Sequence, residues 1–313
     1  MAIWTAAGAA QAQQVFVIAT NPEGSNLHGA GAVIARLMDD KAGLRVNVQP
    51  MSGSSVYLPL VNSGKVDFGL ANVADTRTSY EGTGDFRQAY RDLRLIAAVF
   101  PLTLGVLVPG DSPVRSIRDL KGRSMPWGYS AMTTGRTLQV AALASDGLTM
   151  QDINAVPTAS LFSGVDLLGE GKVDAATIAI GTAQVQRANV NLAAYGGVRY
   201  LNMTLTPEVM TRVRRILPSR PMTIQPAPHT VGVYVPTTLL AHSVFLSTRA
   251  AMPDDIVYNV AKLLHQSKEI LAKGHPVFAD FDPARMTEEV GVPWHLGAMR
   301  YYQEVGQWPP KKN

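Results

Sequence analysis

An α/β fold of two βαβ lobes joined by a hinge is predicted by three features of this 313-residue sequence. First, two short apolar runs each end in a glycine-rich loop followed at once by a helical pattern: Phe16–Ala19 before Gly24, and Ser124–Trp127 before Gly128. Second, the tetrapeptide Gly-Lys-Val-Asp occurs at 64–67 and again at 171–174, within matching orders of elements. Third, the length exceeds one ordinary core and suits two. Right-handed crossovers would put both glycine loops at the carboxyl ends of parallel strands, where open α/β sheets bind ligands.

Residues Ala2–Gln14 are small and apolar, and Ala10-Gln11-Ala12 fits an A-x-A cleavage site, so 1–14 is read as a signal-peptide remnant. Val15–Ala19 is a strand. Ala30–Met38 has helical spacing of apolar residues, stopped by Gly43. Leu44–Val48 is the second strand. Ser52–Ser55 offers N-cap hydroxyls to a helix carrying Val56, Leu60 and Val61. Gly64–Asp67 turns into a third strand, Phe68–Ala71, and a glycine-rich loop runs from Tyr80 to Asp85. Leu93–Val99 and Thr103–Val108 are two further strands, the second ended by Pro109-Gly110.

The second half repeats this order. A helix at Thr137–Ala144 follows the second glycine loop, then a strand at Ile153–Val156, a helix at Ser160–Leu168 and a strand at Ala175–Ile180. Residues 206–228, rich in Pro and Arg, form an irregular connector, and Val231–Val235 is a strand. Asp254–Lys268 is an amphipathic helix, and Val292–Gly306 ends the chain in another. The expected lobes are 15–113 with 222–313, and 114–221.

Hydrophobic residues make up 46% and charged residues 17%, a globular composition. The net charge is +4, and no basic stripe interleaves with aromatics, which argues against nucleic acid. The mild excess of cations modestly favours anionic small molecules. The absence of cysteine excludes disulfides, cysteine nucleophiles and thiolate metal sites. No apolar run is long enough to span a membrane.

Helix N-termini attract anions because unpaired N–H groups and the macrodipole point the same way. Ser130, Thr133 and Thr134 stand at such an end beside Trp127 and Tyr129, more hydroxyls than one cap requires. Ser25 and Asn26 hold the equivalent place in the first loop. Ser54 and Ser55 are caps or ligand contacts. His28 is a ligand donor or an ordinary polar residue of the first turn. Arg136 offers a bidentate guanidinium or faces solvent. Trp127 and Tyr129 stack on a ligand or pack in the lobe. Asn72 ends the third strand, and Thr182 holds the corresponding place in the second lobe. Gly128–Met132 lacks the second glycine of a nucleophile elbow, and Gly164–Lys172 has the wrong spacing for a phosphate loop. No enzyme, metal site or cofactor is expected.

The chain resembles the TAXI-type solute receptors of tripartite ATP-independent periplasmic (TRAP) transporters over about residues 15–308. Gly24–Gly31 fills that family's first loop, and Ser52–Leu58 with Gly64–Asp67 follows its next pattern. Asp119–Gly122 precedes the second loop, and the tail Val292-Pro-Trp-His-Leu-Gly-Ala-Met-Arg-Tyr-Tyr-Gln-Glu304 carries the most specific signature. The resemblance implies the two-lobed type II periplasmic binding protein fold, a periplasmic monomer, and delivery of a small anionic ligand (a carboxylate or amino acid) to membrane permease subunits. Leu27 and His28 replace two tyrosines of the pattern, Tyr57 replaces an asparagine, and the second loop is longer, so departures fall where a ligand would sit. His295, Arg300 and Tyr301 match the tail signature and are assigned to anchoring the last helix. A sensor or adaptor of the same fold, and an enzyme on a bilobal scaffold, are the alternatives.

Overall fold

The computed structural model describes residues 15–84, 86–130, 132 and 134–310. The signal-peptide reading of 1–14 lies outside them. Strand β1 (Val15–Thr20) leads through α1 (Asn26–Ala42) to β2 (Arg45–Pro50), then through α2 (Ser54–Asn62) to β3 (Phe68–Asn72). Both β2 and β3 pair with β1 in parallel, with Ile18 opposite Val48 on one side and Phe68 on the other. Helix α1 starts where Ser25 Oγ accepts the His28 N–H, and ends at Gly43 in the left-handed region. Helix α3 (Val73–Glu81) follows β3 directly. It carries Thr, Ser and Asp where an apolar stripe would announce a helix, which hid it in the sequence.

The two strands expected at 93–99 and 103–108 are one strand, β4 (Leu93–Pro109). Pro101 reads as a break, but it lies opposite Ser243 where the ladder passes from one set of neighbours to the next. After β4 come β5 (Ser124–Gly128), α4 (Gly135–Ala144), β6 (Asn154–Thr158), α5 (Leu161–Gly169), β7 (Ala176–Ala179), α6 (Ala183–Asn191) and β8 (Val198–Tyr200). β5 and β6 form their own parallel pair, while β7 and β8 join β4 in antiparallel fashion.

The segment expected to be an irregular connector contains α7 (Pro207–Arg214) and β9 (Arg220–Ile224). Thr206 caps α7 and Pro207 opens it, an ordinary start masked by the flanking prolines. Val231–Val235, expected as a strand, is a turn with Tyr234 and Val235 exposed. The strand is the next run, β10 (Thr237–Arg249), followed by α8 (Asp254–Gln266), α9 (Lys268–Gly274) and α10 (Leu296–Glu304). The main sheet is ordered β2-β1-β3-β10-β4-β7, with β8 beside β4 and β9 beside β10.

β4 and β10 run antiparallel through the middle of the molecule and exchange neighbours along their length. The second half of β10 pairs with β3 and its first half with β9; the second half of β4 pairs with β7 and β8. Both are buried along almost their whole length, as central strands covered on two faces must be. His295 caps α10, Arg300 pairs with Asp255 at 2.7 Å, and Tyr301 reaches His265 at 2.9 Å, which fixes α10 against α8.

The repeated tetrapeptide does the same work twice. Gly64 and Gly171 both take positive φ, 75° and 70°, a turn that a side chain would strain. Each turn then delivers an aspartate to the start of the first strand of its own unit. Asp67 accepts the Val17 N–H at 2.9 Å, and Asp174 accepts the Ser124 N–H at 2.7 Å, both across 50 residues.

Candidate functional site

The N-termini of α1, α2, α3, α4, α5 and α6 converge on one cavity of about 50 Å³ between the two βαβ units. From the first unit come Asn21, Ser25, Asn26, Ser54, Asn72 and Asp75; from the second come Thr134, Leu138, Leu161, Phe162 and Thr182. Leu102 and Leu104 of β4, with Ile178 and Ala179 of β7, form an apolar wall, and Met132 closes it. Every helix among these leaves its first N–H groups without intrahelical partners and adds the positive end of its dipole. The lining is otherwise apolar, so these fields act with little solvent screening.

On the first-unit side the polar groups are bound to one another. Asn72 caps α3 by accepting the Asp75 N–H at 3.0 Å, and its amide donates to Asp75 Oδ2 at 2.9 Å. Ser54 Oγ donates to the same carboxylate oxygen. Burial, and then the Asp75 carboxylate, hold the Tyr57 phenol well above its ordinary range, so it remains a neutral donor to the Leu70 carbonyl. Ser25 Oγ is engaged by the His28 N–H at 3.1 Å.

On the facing side the hydroxyls are less engaged. Thr182, the N-cap of α6, is 2% exposed, and its Oγ1 has no hydrogen-bond partner among the described residues. Thr134, the N-cap of α4, makes no side-chain capping bond. Two hydrogen bonds cross between the units at the rim. Asn26 Nδ2 donates to the Ile180 carbonyl at 2.7 Å, and the Ala183 N–H donates to the Gly24 carbonyl at 3.2 Å.

Of the residues expected at the site, Ser25, Asn26, Ser54, Asn72, Thr134 and Thr182 line this cavity. Ser55 is half-buried outside the lining, and Ser130 is exposed. The His28 ring turns back to Thr20, with Nδ1 3.2 Å from Oγ1. Arg136 folds over its own loop, with Nε donating to the Gly128 carbonyl at 2.8 Å. Tyr129 is fully buried at φ 44°, bonded to the Pro126 carbonyl at 2.9 Å and to Gln139, and Trp127 packs on it edge-to-face. A rigid loop brace is what this pair provides. Thr133 lies outside the described residues. Sequence reasoning missed Asp75, although Asn72-Val-Ala-Asp75 has the cap-and-N3-acid pattern of a helix start. It also missed the leucines of β4, which read as strand core. No group of three or more metal-ligating side chains occurs among the described residues. No helix among them is long and apolar enough to cross a membrane.

A sequence model described as the NMT1-like family matches residues 18–306. Among solved structures, the alkanesulfonate-binding protein SsuA from Xanthomonas axonopodis pv. citri, bound to MOPS, is 18% identical, with a TM-score of 0.53 over 94% of this chain and 91% of that one. An ancestral arginine-binding protein bound to arginine is 16% identical, with a TM-score of 0.52 over 85% and 98%. The periplasmic aliphatic sulphonate binding protein SsuA from Escherichia coli is 18% identical, with a TM-score of 0.52 over 95% and 94%. At these identities the likeness is one of fold, and the fold is the two-lobed type II periplasmic binding type.

Proposed function

The chain belongs to the NMT1-like family, and from that premise we propose that it is a periplasmic solute receptor that closes its lobes on a small anionic organic molecule. The observation that carries this is the meeting of six helix N-termini on one apolar-walled cavity between the lobes. Asp75 is already held by Ser54 and Asn72. The negative group of the solute therefore goes to the facing wall, where Thr182 Oγ1 is buried without a hydrogen-bond partner among the described residues. The solute's carbon body lies along Leu102, Leu104 and Ile178. Binding, without a reaction, is the whole activity in this reading.

We take the lobes to divide within β4 near Pro101 and within β10 near His242, rather than at 113 and 222, a reading supported by the change of strand partners there. The solute is handed to membrane permease subunits. A TRAP-type permease is the finer reading, supported by the tail signature Val292–Glu304.

The test is a calorimetric screen of carboxylates, amino acids and sulfonates on refolded, ligand-stripped protein, with neutral sugars and nucleobases as controls. Saturable binding of an anionic compound is expected. Thr182→Val should weaken it about tenfold, the worth of one buried hydrogen bond to a charged group. Binding of only neutral compounds, or full affinity in Thr182→Val, refutes the reading.

A further inference from the structure

A second groove, of about 390 Å³, lies at the β9–β10–β3 edge of the hinge and shares no lining residue with the cleft cavity. It forms where β10 is paired with β4 on one edge but open on the other: β9 pairs as far as Ala241, and β3 begins at Val244. His242 is its floor. The imidazole is 2% exposed, and neither ring nitrogen has a hydrogen-bond partner among the described residues. Arg220 of β9 and Arg285 are two of its walls, and Arg214 stands further along the rim, with Nε bonded to the Ser219 carbonyl at 2.9 Å.

The guanidiniums of Arg220 and Arg285 make no hydrogen bond or ion pair among the described residues. They nonetheless act on each other: burial, and then the Arg285 charge, weaken the hold of Arg220 on its proton, and the Glu288 and Asp280 carboxylates partly oppose this. Glu288 attracts both arginines without forming an ion pair with either: its carboxylate accepts from Ser243 Oγ at 2.7 and 2.8 Å, and burial raises its pKa. Three arginines against Glu288 and Glu289 leave this lining with one positive charge, while Asp280 and Asp282 stand beside Arg220 and Arg285 in the adjoining pocket. Two guanidiniums without hydrogen-bond or ion-pair partners among the described residues, that of Arg220 half-buried and that of Arg285 exposed at the groove's mouth, beside an unsatisfied buried imidazole, lack one component, an acceptor-rich anion.

We propose that this hinge-edge groove is an oxyanion site, in which Arg220 and Arg285 clamp a phosphate, sulfate or carboxylate group above the His242 N–H. The walls belong to opposite sides of the crossing. Arg220 is carried by β9 on the first half of β10, whereas the Arg285–Glu288 segment is tied to the first half of β4 by the Ala98 N–H to the Met286 carbonyl, 2.8 Å. An anion bridging them fixes the angle between the lobes, so its binding and that of the cleft ligand are coupled reciprocally.

Isothermal titration of the full chain with sodium phosphate, sulfate and citrate, against chloride at matched ionic strength, tests this. Saturable oxyanion binding is expected, at least tenfold weaker in Arg220→Gln and in Arg285→Gln. Glu288→Gln should bind severalfold tighter, because it removes an opposing charge. Melting curves of each variant check that the fold is retained. No binding beyond that of chloride, or unchanged affinity in both arginine variants, overturns the site. Binding that survives both arginine changes but is lost in Thr182→Val belongs to the cleft; that result sinks this proposal and leaves the receptor reading standing.

Discussion

His242 shows what a single side chain costs when it is buried to serve a hinge. Burial pushes its pKa down to about 4. The unfolded chain, with an ordinary histidine near 6.5, therefore binds more protons between those values. Its share of stability is complete above pH 6.5 and is lost as pH falls toward 4, a loss of about 3 kcal/mol by the linkage relation. The groups facing it from the groove are Arg214, Arg220, Arg285, Glu288 and Glu289, of which only Glu288 has its pKa raised toward the same window. His242→Phe should flatten the decline between pH 7 and 4.5 in urea midpoints relative to the parent chain; parallel declines would show that His242 does not titrate on unfolding. Nothing in the local sequence announces this residue, since Ala241-His242-Ser243 reads as an ordinary strand position. Tyr129 is the opposite case. Its place in a glycine loop drew it into the expected site, yet its hydroxyl and ring are spent on bracing that loop. Residue type and loop context reveal that a side chain is special but not which way it points.

At the scale of elements, the two aspartate clamps explain why the repeat was legible. A Gly-Lys-Val-Asp turn needs glycine for its positive φ and aspartate for its reach to the first strand, and both needs are written in sequence. Asp174 is the cleaner test, because it holds both the N–H and the Oγ of Ser124, at 2.7 and 2.6 Å. Asp174→Ala should cost about 2 to 3 kcal/mol, the scale for buried hydrogen bonds to a charged acceptor. Asp67→Ala should cost a similar amount, since Asp67 adds a long ion pair with Arg249 at 3.7 Å to its bond with Val17. Denaturant midpoints at pH 7 give both values, and a change under 0.5 kcal/mol in either would refute the shared role. What the repeat could not reveal is sheet membership. β7 follows its clamp just as β3 does, but it pairs with β4 rather than with β5. Pairing between distant strands depends on long-range packing that a local pattern does not encode. The single long β4 was missed for a related reason: Pro101 breaks strands in isolation but is tolerated where a central strand changes partners.

For the whole molecule, the receptor reading makes closure of the lobes the step to test, and the rim is where it can be altered. Apart from the strands that cross, the rim contacts named above are the bond from Asn26 to the Ile180 carbonyl and the bond from the Ala183 N–H to the Gly24 carbonyl. Each is worth about 1 kcal/mol net, so together they shift an open–closed equilibrium by one to two orders of magnitude. On the receptor reading, a balance of that size is one that a bound solute can tip. Gly24 gives a way to alter this balance outside the cavity lining. Its φ is 80°, and a Cβ added there would meet the Ala183 Cβ at 3.2 Å across the rim. Gly24→Ala therefore imposes local backbone strain and adds a tight contact that exists only while the lobes are shut against each other. The expected result is a shift toward the open form of about fivefold, corresponding to about 1 kcal/mol. Small-angle scattering of the ligand-free protein should show a larger radius of gyration, and solute affinity should fall by a similar factor. Asn26→Ala should move scattering in the same direction with a larger loss of affinity, because Asn26 also lines the cavity. If Gly24→Ala lowers the melting temperature while leaving the radius of gyration and affinity unchanged, the strain is purely local, and the rim bonds do not govern closure.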